Sequence, residues 1–478
     1  MVDALDLQEL RTLVNLLLER IAQLETRVEE LEVENTQLRQ ENDQLRAENS
    51  DLKATLSRNS TNSHKPPSLE GYAKKPAFEK PPGGKVGGQT GHPGKTLEMV
   101  AQPDSIQQHW PRQCPLCQKE LAQQGIILAR RQVFELPPPR LEVHEHQLMQ
   151  TTCVCGCQVR GAFPASVAAP VQYGPRLLAL GSLLNTDYRL PLAKISALLG
   201  DLFAYQVNES TLWSANASLY AQLQPVETTI RQALQGSPLL HVDETGMRVK
   251  GKLYWLHVAC NQAFTYLFVH LNRGKIALDS AQSVLADFSG WLIHDCWQSY
   301  FGLTKVRHGL CGAHLIRELQ ALLEGGSQWA GWMQGFLWDA YKASRDGPIA
   351  LDQQAHWQSR YQLICQQGLS QEPAPQVPPR GRAKQSKGRN LLNRLLQHES
   401  AVLAFAFESG VAFTNNQAER DLRPAKVKQK VSNCFRTQAG ADHYARIIGF
   451  VSTMRKNKQD ILAQLTNILT DSFTWKPT

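Results

Sequence analysis

The sequence predicts a multidomain α+β protein, and three observations lead to that prediction. A chain of 478 residues with 42% hydrophobic content can bury more than one core. Its first 56 residues follow a seven-residue leucine repeat, which is typical of a coiled coil. Further along, two short apolar runs that each end in an acidic residue alternate with strand-like and helix-like stretches, which indicates a mixed α/β domain.

The order of these patterns divides the chain into five expected regions. They are a leucine-zipper coiled coil over residues 1–56, a flexible basic linker over 57–100, a zinc-binding module over 101–168, a helical, helix-turn-helix-like segment over 169–232, and an α/β domain over 233–478 with a helical insertion at about 320–405.

Residues 1–56 carry two interleaved seven-residue registers. They consist of Leu10, Leu17, Leu24, Leu31, Leu38, Leu45 and Leu52, and of Val14, Ile21, Val28, Asn35, Asn42, Asn49 and Leu56. β-Branched residues alternating with leucine favour two parallel strands, and buried asparagines fix their alignment. The five charge pairs that would flank this seam, from Arg20 with Glu25 to Glu48 with Lys53, are all opposite in sign. The pattern predicts a homodimer through residues 10–56.

Charge is distributed unevenly along the chain. The net charge is +8, but residues 1–56 hold 6 Lys or Arg against 13 Asp or Glu, so residues 57–478 carry +15. Such an excess attracts polyanions by counterion release, and nucleic acid is the usual polyanion of a cytosol. Within the linker, residues 57–96 hold 7 basic against 2 acidic residues. This segment is either a solvated tether or an arm that lies along phosphates.

The chain has no apolar run of the roughly 18–20 residues that a membrane helix requires. Its acidic start, with Asp3, Asp6 and Glu9, is unlike a secretory signal. We therefore expect a cytoplasmic protein without a membrane partner. In that reducing compartment the ten cysteines favour metal ligation over disulfide bonds.

Five cysteines crowd into two short turns. The first holds Cys114 and Cys117, and the second holds Cys153, Cys155 and Cys157. Thiolates at this spacing bind one zinc ion tetrahedrally, and the ion then stabilises a module with little apolar surface. We expect four of the five to hold a structural Zn²⁺, with the choice within the second turn left open.

The segment from about residue 173 to 225 has a helical pattern in three stretches, 176–184, 192–199 and 210–220. Asn208 is placed to cap the last stretch. Three short helices with a turn before the last are compatible with a helix-turn-helix and equally with simple packing.

Two aspartates follow short apolar runs. Asp243 ends the run from Leu239, two further strand-like stretches follow it as a meander, and a helix-like stretch over 275–288 leads to a second run that ends at Asp295. On neighbouring strands these carboxylates would repel each other unless a divalent cation, most naturally Mg²⁺, lay between them. Glu419, near the start of a helix that Asn415 and its neighbours open, is a third candidate. Each acid alone is also compatible with a turn or cap residue.

Several motifs occur in order along the whole chain. They are the zipper, the Gly-Gly-Gln-Thr-Gly-His-Pro-Gly linker at 87–94, the cysteine turns, Asp243-Glu244-Thr245, His294-Asp295, the stretch from Leu310 to Leu319, and Asn415-Asn416-Gln417-Ala418-Glu419-Arg420. In this order they resemble the insertion sequence 66 family of bacterial transposases. The resemblance implies a ribonuclease-H-like catalytic domain with a DDE triad at Asp243, Asp295 and Glu419 that binds two Mg²⁺ or Mn²⁺ ions.

The same resemblance implies the function and the partners. We expect a transposase that binds the ends of its insertion sequence and catalyses DNA strand cleavage and strand transfer into target DNA. The partners would be the terminal inverted repeats, the target DNA and small companion proteins of the element, in a nucleoid-associated protein. Cys311 and His314, within one of these motifs, are interpreted as packing and positioning residues.

Basic residues cluster after Glu419 and are candidates for phosphate contacts: Arg420, Arg423, Lys426, Lys428, Lys430 and Arg436. A solvated basic face explains them equally well. A second basic stretch, Pro373 to Arg389, either tracks DNA or is a loop. The alternative function is a non-catalytic DNA-binding regulator, in which zipper and zinc module bind DNA and the carboxylates serve as caps and turns.

Overall fold

The computed structural model describes residues 4–56, 96–372, 374 and 385–475. Most of the expected linker and the basic residues Arg380, Arg382 and Lys384 lie outside them. The chain forms two compact units. Of the described residues, the larger unit holds those of 4–56, 164–195 and 208–475, and the smaller unit holds those of 96–163 and 196–207.

The helices and strands have the following bounds. The helices are α1 (Ala4–Leu56), α2 (Pro175–Thr186), α3 (Leu192–Phe203), α4 (Glu209–Gln222), α5 (Gln224–Gln235), α6 (Lys275–Leu278), α7 (Gly312–Glu324), α8 (Gln328–Ala343), α9 (Leu351–Gln371), α10 (Lys387–Gln397), α11 (Glu399–Phe407), α12 (Asn416–Ser432), α13 (Gln438–Lys456) and α14 (Ile461–Leu469). The strands are β1 (Gln150–Thr152), β2 (Gln158–Arg160), β3 (Leu239–Val249), β4 (Lys252–Cys260), β5 (Thr265–His270), β6 (Trp291–His294) and β7 (Arg307–Leu310).

Residues Ala4–Leu56 form one helix, as the leucine repeat predicts. The seven leucines of the repeat are each 47–60% exposed on this single chain. Because a solvated helix gains little from such a stripe, the seam needs a partner to become buried.

A five-stranded mixed sheet organises the larger unit, with strand order β5-β4-β3-β6-β7. Strands β3, β4 and β5 form the predicted antiparallel meander, and β6 and β7 continue the sheet parallel to β3. Leu239 pairs with Trp291 and His241 with Ile293. Extended by two residues, this register places Asp243 beside Asp295. β6 ends just before Asp295, whereas β3 continues beyond Asp243 to Val249.

Three hydrophobic clusters surround this sheet. The first packs α2, α4 and α12–α14 against the meander, and the third packs α5 and the loops around Phe288 and Tyr300 against it. The second joins β6 and β7 to α7–α11, where Trp329, Phe336 and Tyr361 are fully buried. These helices occupy the position of the expected insertion.

The predicted helix over 275–288 is wrong. Only α6 and a 3₁₀ turn at Leu285–Asp287 are helical there. Ser280 donates its hydroxyl to the carbonyl of Ala277, and Ser283 accepts from the backbone N–H of Leu285. Short polar side chains that bond the local backbone in this way compete with a helix and favour turns.

The smaller unit is mostly irregular within its described residues. Its antiparallel hairpin pairs Thr152 of β1 with Gln158 of β2, and the second cysteine turn connects these two strands. None of the described helices of the chain is long and apolar enough to cross a bilayer.

Candidate active site

The two aspartates lie on adjacent parallel elements. Asp243 is within β3, and Asp295 directly follows β6. Burial raises the pKa of Asp243 to about 8, with further contributions from the charges of Glu244 and Asp295. Neighbouring carboxylates that repel each other favour a shared proton or a cation.

Glu244, the next residue of β3, lies in a closed network of its own. Its side chain is 1% exposed and accepts a hydrogen bond from the Tyr300 hydroxyl at 2.5 Å and one from Nε of Arg273 at 2.8 Å. The guanidinium of Arg273 lies over the rings of Trp255 and Trp297. Burial raises the pKa of Glu244, while the bonds from Tyr300 and Arg273 oppose that rise. Sequence reasoning missed this network because Arg273 and Tyr300 belong to no motif.

Helix α12 is fastened to β3 beside Asp243. Asn415, which precedes the helix and is fully buried, donates from Nδ2 to the carbonyl oxygen of Val242 at 2.7 Å. Its Oδ1 lies 3.1 Å from Nδ1 of His241. Burial lowers the pKa of His241, which favours the neutral imidazole. Because the amide oxygen of Asn415 can only accept, the contact requires the tautomer that carries its hydrogen on Nδ1. Glu419 follows one turn later in the same helix.

The carboxylate of Glu419 is directed toward α7. Its Oε1 lies 3.7 Å from Nε2 of His314, and the thiol of Cys311 is nearby. Among the residues that the structure describes, the only metal-ligand group of three within 4.8 Å is Cys311, His314 and Glu419. Asp243, Asp295 and Glu419 are therefore not gathered into one cluster, although Asp243 and Asp295 interact.

The donor chemistry of the aspartate pair fits a magnesium-type ion. Carboxylate oxygens are the ligands that Mg²⁺ and Mn²⁺ prefer. Burial is the main cause of the raised pKa of Asp243, and the charges of Glu244 and Asp295 add to it. A divalent cation bound between the aspartates would oppose this rise and favour the ionised carboxylate.

Each of the two cysteine turns is closed by its own backbone hydrogen bond. In the first, Gln118 N–H donates to the carbonyl of Cys114, and in the second, Cys153 N–H donates to the carbonyl of Cys157. The pKa values of Cys114 and Cys153 are lowered, chiefly by backbone N–H groups of Cys117 and Cys155 respectively. Within the described residues, no three of the five thiols come within 4.8 Å of one another. Each turn is suited to thiolate ligands, but the two are not brought together here.

Comparison with known proteins places this geometry in a family. Residues 170–443, which include Asp243, Asp295 and Glu419, match the family described as "Transposase IS66 family". The chain belongs to the IS66 family of transposases. Residues 4–98 of this IS66-family chain also match a family of unknown function, DUF6444.

A curated relative shares most of this IS66-family chain. It is "Uncharacterized protein y4hP" of Sinorhizobium fredii (strain NBRC 101917 / NGR234), which is 24% identical over 394 residues. The match covers 71% of the present chain and 66% of the relative, so it spans slightly less than two thirds of that protein's length.

The basic residues of this IS66-family chain after Glu419 are in two environments. Five have exposed side chains, namely Arg420, Arg423, Lys426, Lys430 and Arg436. Lys428 is 8% exposed and donates from Nζ to the carbonyl of Asn185 at 2.8 Å. Its ammonium also lies over the ring of Tyr444, and burial lowers its pKa to about 8. This arrangement gives Lys428 a structural contact between α12 and the end of α2, away from solvent.

Proposed function

We propose that this protein is a DDE transposase that binds the ends of its insertion sequence and catalyses metal-dependent strand cleavage and strand transfer. Asp243, Asp295 and Glu419 are its proposed catalytic carboxylates. The observation that carries the proposal is the position of Asp243 in β3 beside Asp295 at the end of the parallel strand β6, with the pKa of Asp243 raised to about 8. A non-catalytic protein has no need to keep two such acids together.

When bound, two Mg²⁺ or Mn²⁺ ions would supply a nucleophile and stabilise the leaving oxygen of an in-line displacement at a phosphodiester. The protein's part is to hold the ligands in place. The β3–β6 pairing ends two residues before each aspartate and sets the position of Asp243 relative to Asp295. Arg273 and Tyr300 donate hydrogen bonds to the two oxygens of the Glu244 carboxylate, so this neighbouring acid already has partners of its own.

Glu419 is the proposed third carboxylate because of the helix that carries it. Asn415 anchors the start of α12 to Val242, the residue before Asp243. Glu419 lies one turn further on, and its Oε1 is buried without a hydrogen bond among the described residues. A buried carboxylate oxygen without a donor is suited to a cation.

DNA contact is proposed for the exposed basic face of α12. Arg423, Lys426 and Lys430 follow Glu419 at intervals of 4, 7 and 11 residues, which places the four side chains along one side of the helix. Lys426 is close enough to Asp243 to oppose the rise of its pKa. Phosphates lying on this side would lead toward the aspartates.

The remaining regions complete the proposal. We propose that residues 10–56 form a parallel homodimeric coiled coil that pairs two protomers at two DNA ends, and that the cysteine turns bind a structural zinc ion. The helices of residues 169–232 are a candidate for end recognition, and residues 233–478 are a ribonuclease-H-like domain with its helical insertion. Companion proteins of the element and a nucleoid-associated cytoplasmic location belong to the same proposal.

The competing function is the DNA-binding regulator, which the zipper and cysteine turns favour. An assay on DNA that carries the element's own ends separates the two functions. With Mg²⁺ or Mn²⁺ and any companion proteins added, a transposase nicks the ends and joins them to a target, whereas Ca²⁺ should support binding without cleavage. End binding without cleavage under every metal condition would favour the regulator.

A further inference from the structure

Three potential metal ligands outside the aspartate pair lie close to one another. Cys311 precedes α7, His314 lies in the first turn of α7, and Glu419 lies in the first turns of α12. One ligand atom from each, a thiol sulfur, an imidazole nitrogen and a carboxylate oxygen, lies within 4.8 Å of the other two.

The separation of His314 and Glu419 suits a shared ion better than a direct bond. Nε2 of His314 lies 3.7 Å from Oε1 of Glu419. Hydrogen bonds of this type are about 2.7–3.2 Å long. Two ligands held at about 2.0–2.2 Å from a tetrahedral ion are roughly 3.4 Å apart. The pair is therefore placed almost as two ligands of one ion would be.

The backbone around these ligands is well fixed. Cys311 N–H donates to the carbonyl of His294 at 2.9 Å, and the N–H of Asn415 lies 3.1 Å from the Cys311 sulfur. The ligands therefore come from two helix starts that the sheet and Asn415 hold together. The side chains of His314 and Glu419 are 13% and 20% exposed, which leaves the cluster open to solvent on one side.

The ligand atoms of Cys311, His314 and Glu419 favour one class of cation over another. Sulfur and imidazole ligands favour zinc-type ions, whereas Mg²⁺ and Ca²⁺ take oxygen ligands. The oxygen-only pair Asp243 and Asp295 differs from this set in chemistry.

We propose that Cys311, His314 and Glu419 form a binding site for a thiophilic divalent cation of the zinc type, with a fourth position open to water. Binding displaces the thiol proton of Cys311 to solvent. The inference stands whether or not the protein cleaves DNA. If Glu419 also serves the proposed catalytic site, its carboxylate can bind an ion at only one of the two sites at a time. Zinc bound to Cys311 and His314 would then inhibit the magnesium-dependent activity.

Cobalt(II) titration of the full-length, reduced protein tests the site, because a cobalt–thiolate bond gives a near-ultraviolet absorption band. The cysteine turns would also bind cobalt, so the readout is the difference between variants. Wild type should bind one more cobalt equivalent, with one more thiolate, than Cys311→Ser. His314→Gln and Glu419→Gln should lower the affinity of this equivalent by more than the roughly 10–100-fold that loss of a ligand's supporting partner costs.

Cys365→Ser is the matched control, since Cys365 is a buried cysteine on α9 outside the cluster. It should leave the cobalt count unchanged. Glu419→Gln keeps the test decisive if Cys311→Ser does not fold, because Glu419 is partly exposed and its replacement is isosteric. Equal cobalt binding and equal thiolate absorption in wild type and in folded Glu419→Gln would overturn the proposal.

Discussion

Asn415 binds the start of α12 to the central strand, since its Nδ2 donates to the carbonyl of Val242 and its Oδ1 contacts Nδ1 of His241. Asn415→Ala removes both contacts and leaves two buried polar groups unpaired, which costs about 1–3 kcal/mol for each group. We expect a lower urea midpoint and a larger loss of DNA cleavage than of DNA binding. Asn416→Ala, at the exposed neighbouring position, should change neither. Unchanged stability in Asn415→Ala would show that the anchor is not needed.

The pKa of Asp243 predicts how stability depends on pH without metal. In the folded protein this acid keeps its proton up to about pH 8, so its stabilising contribution is present at acidic pH and is lost as the pH rises from about 4 to 8. Asp243→Asn removes the free-energy cost of an ionised carboxylate at this position. In chelator at pH 8.5 we expect the variant to be more stable than wild type by on the order of 1–3 kcal/mol, because each tenfold change in proton affinity corresponds to about 1.4 kcal/mol.

Urea denaturation at pH 5 and pH 8.5 measures that difference. The gap between wild type and Asp243→Asn should be much smaller at pH 5 than at pH 8.5, and Mg²⁺ at pH 8.5 should stabilise wild type more than the variant. Asp346→Asn, at an exposed aspartate outside the site, is the control and should follow wild type. A variant less stable than wild type at pH 8.5 without metal would contradict the environment assigned to Asp243.

We expect two lysines of α12 to affect different properties, Lys426 the binding of DNA and Lys428 the stability of the fold. Lys426 is exposed, so Lys426→Met should weaken DNA binding and reduce the slope of log K against log salt by about 0.9 if it contacts one phosphate. Lys428 is buried against Asn185 and Tyr444, so Lys428→Met should change the unfolding midpoint and leave the slope unchanged. DNA binding measured over a range of salt separates them. A reduced slope in Lys428→Met would place that lysine on DNA.

The leucine seam of α1 predicts a dimer. Leu24→Glu together with Leu31→Glu would bury charges in the seam, so we expect monomers in sedimentation at micromolar concentrations. Thr26→Glu together with Gln40→Glu adds the same charge on the opposite side of the helix and should leave the dimer intact. If the Leu24 and Leu31 variant also joins paired DNA ends as wild type does, the zipper does not pair the protomers at the ends.

Features that depend on residues close together in the sequence could be predicted, and features that depend on contacts between distant side chains could not. The helix α1, the meander and the cap at Asn208, which accepts from Ser210, are set by periodicity and nearby side chains, and they are confirmed. The coiled-coil pairing of α1 stays a prediction. The pairing of β3 with β6 brings residues about 50 apart together, and the sequence offered it only as the arrangement in which the two carboxylates would meet. The positions of Glu244 and Glu419 depend on side-chain contacts with Arg273, Tyr300 and His314, which no spacing encodes. For the same reason Lys428 resembled its exposed neighbours in sequence.

The most direct test of the central claim is strand cleavage and joining by single-residue variants on DNA that carries the element's ends. Asp243→Asn, Asp295→Asn and Glu419→Gln should bind the ends as wild type does and lose cleavage and joining with Mg²⁺ and Mn²⁺. Glu408→Gln, at an exposed acid after α11, should retain both reactions. Wild-type rates of cleavage in any of the three folded variants would contradict the assignment of that carboxylate to the active site.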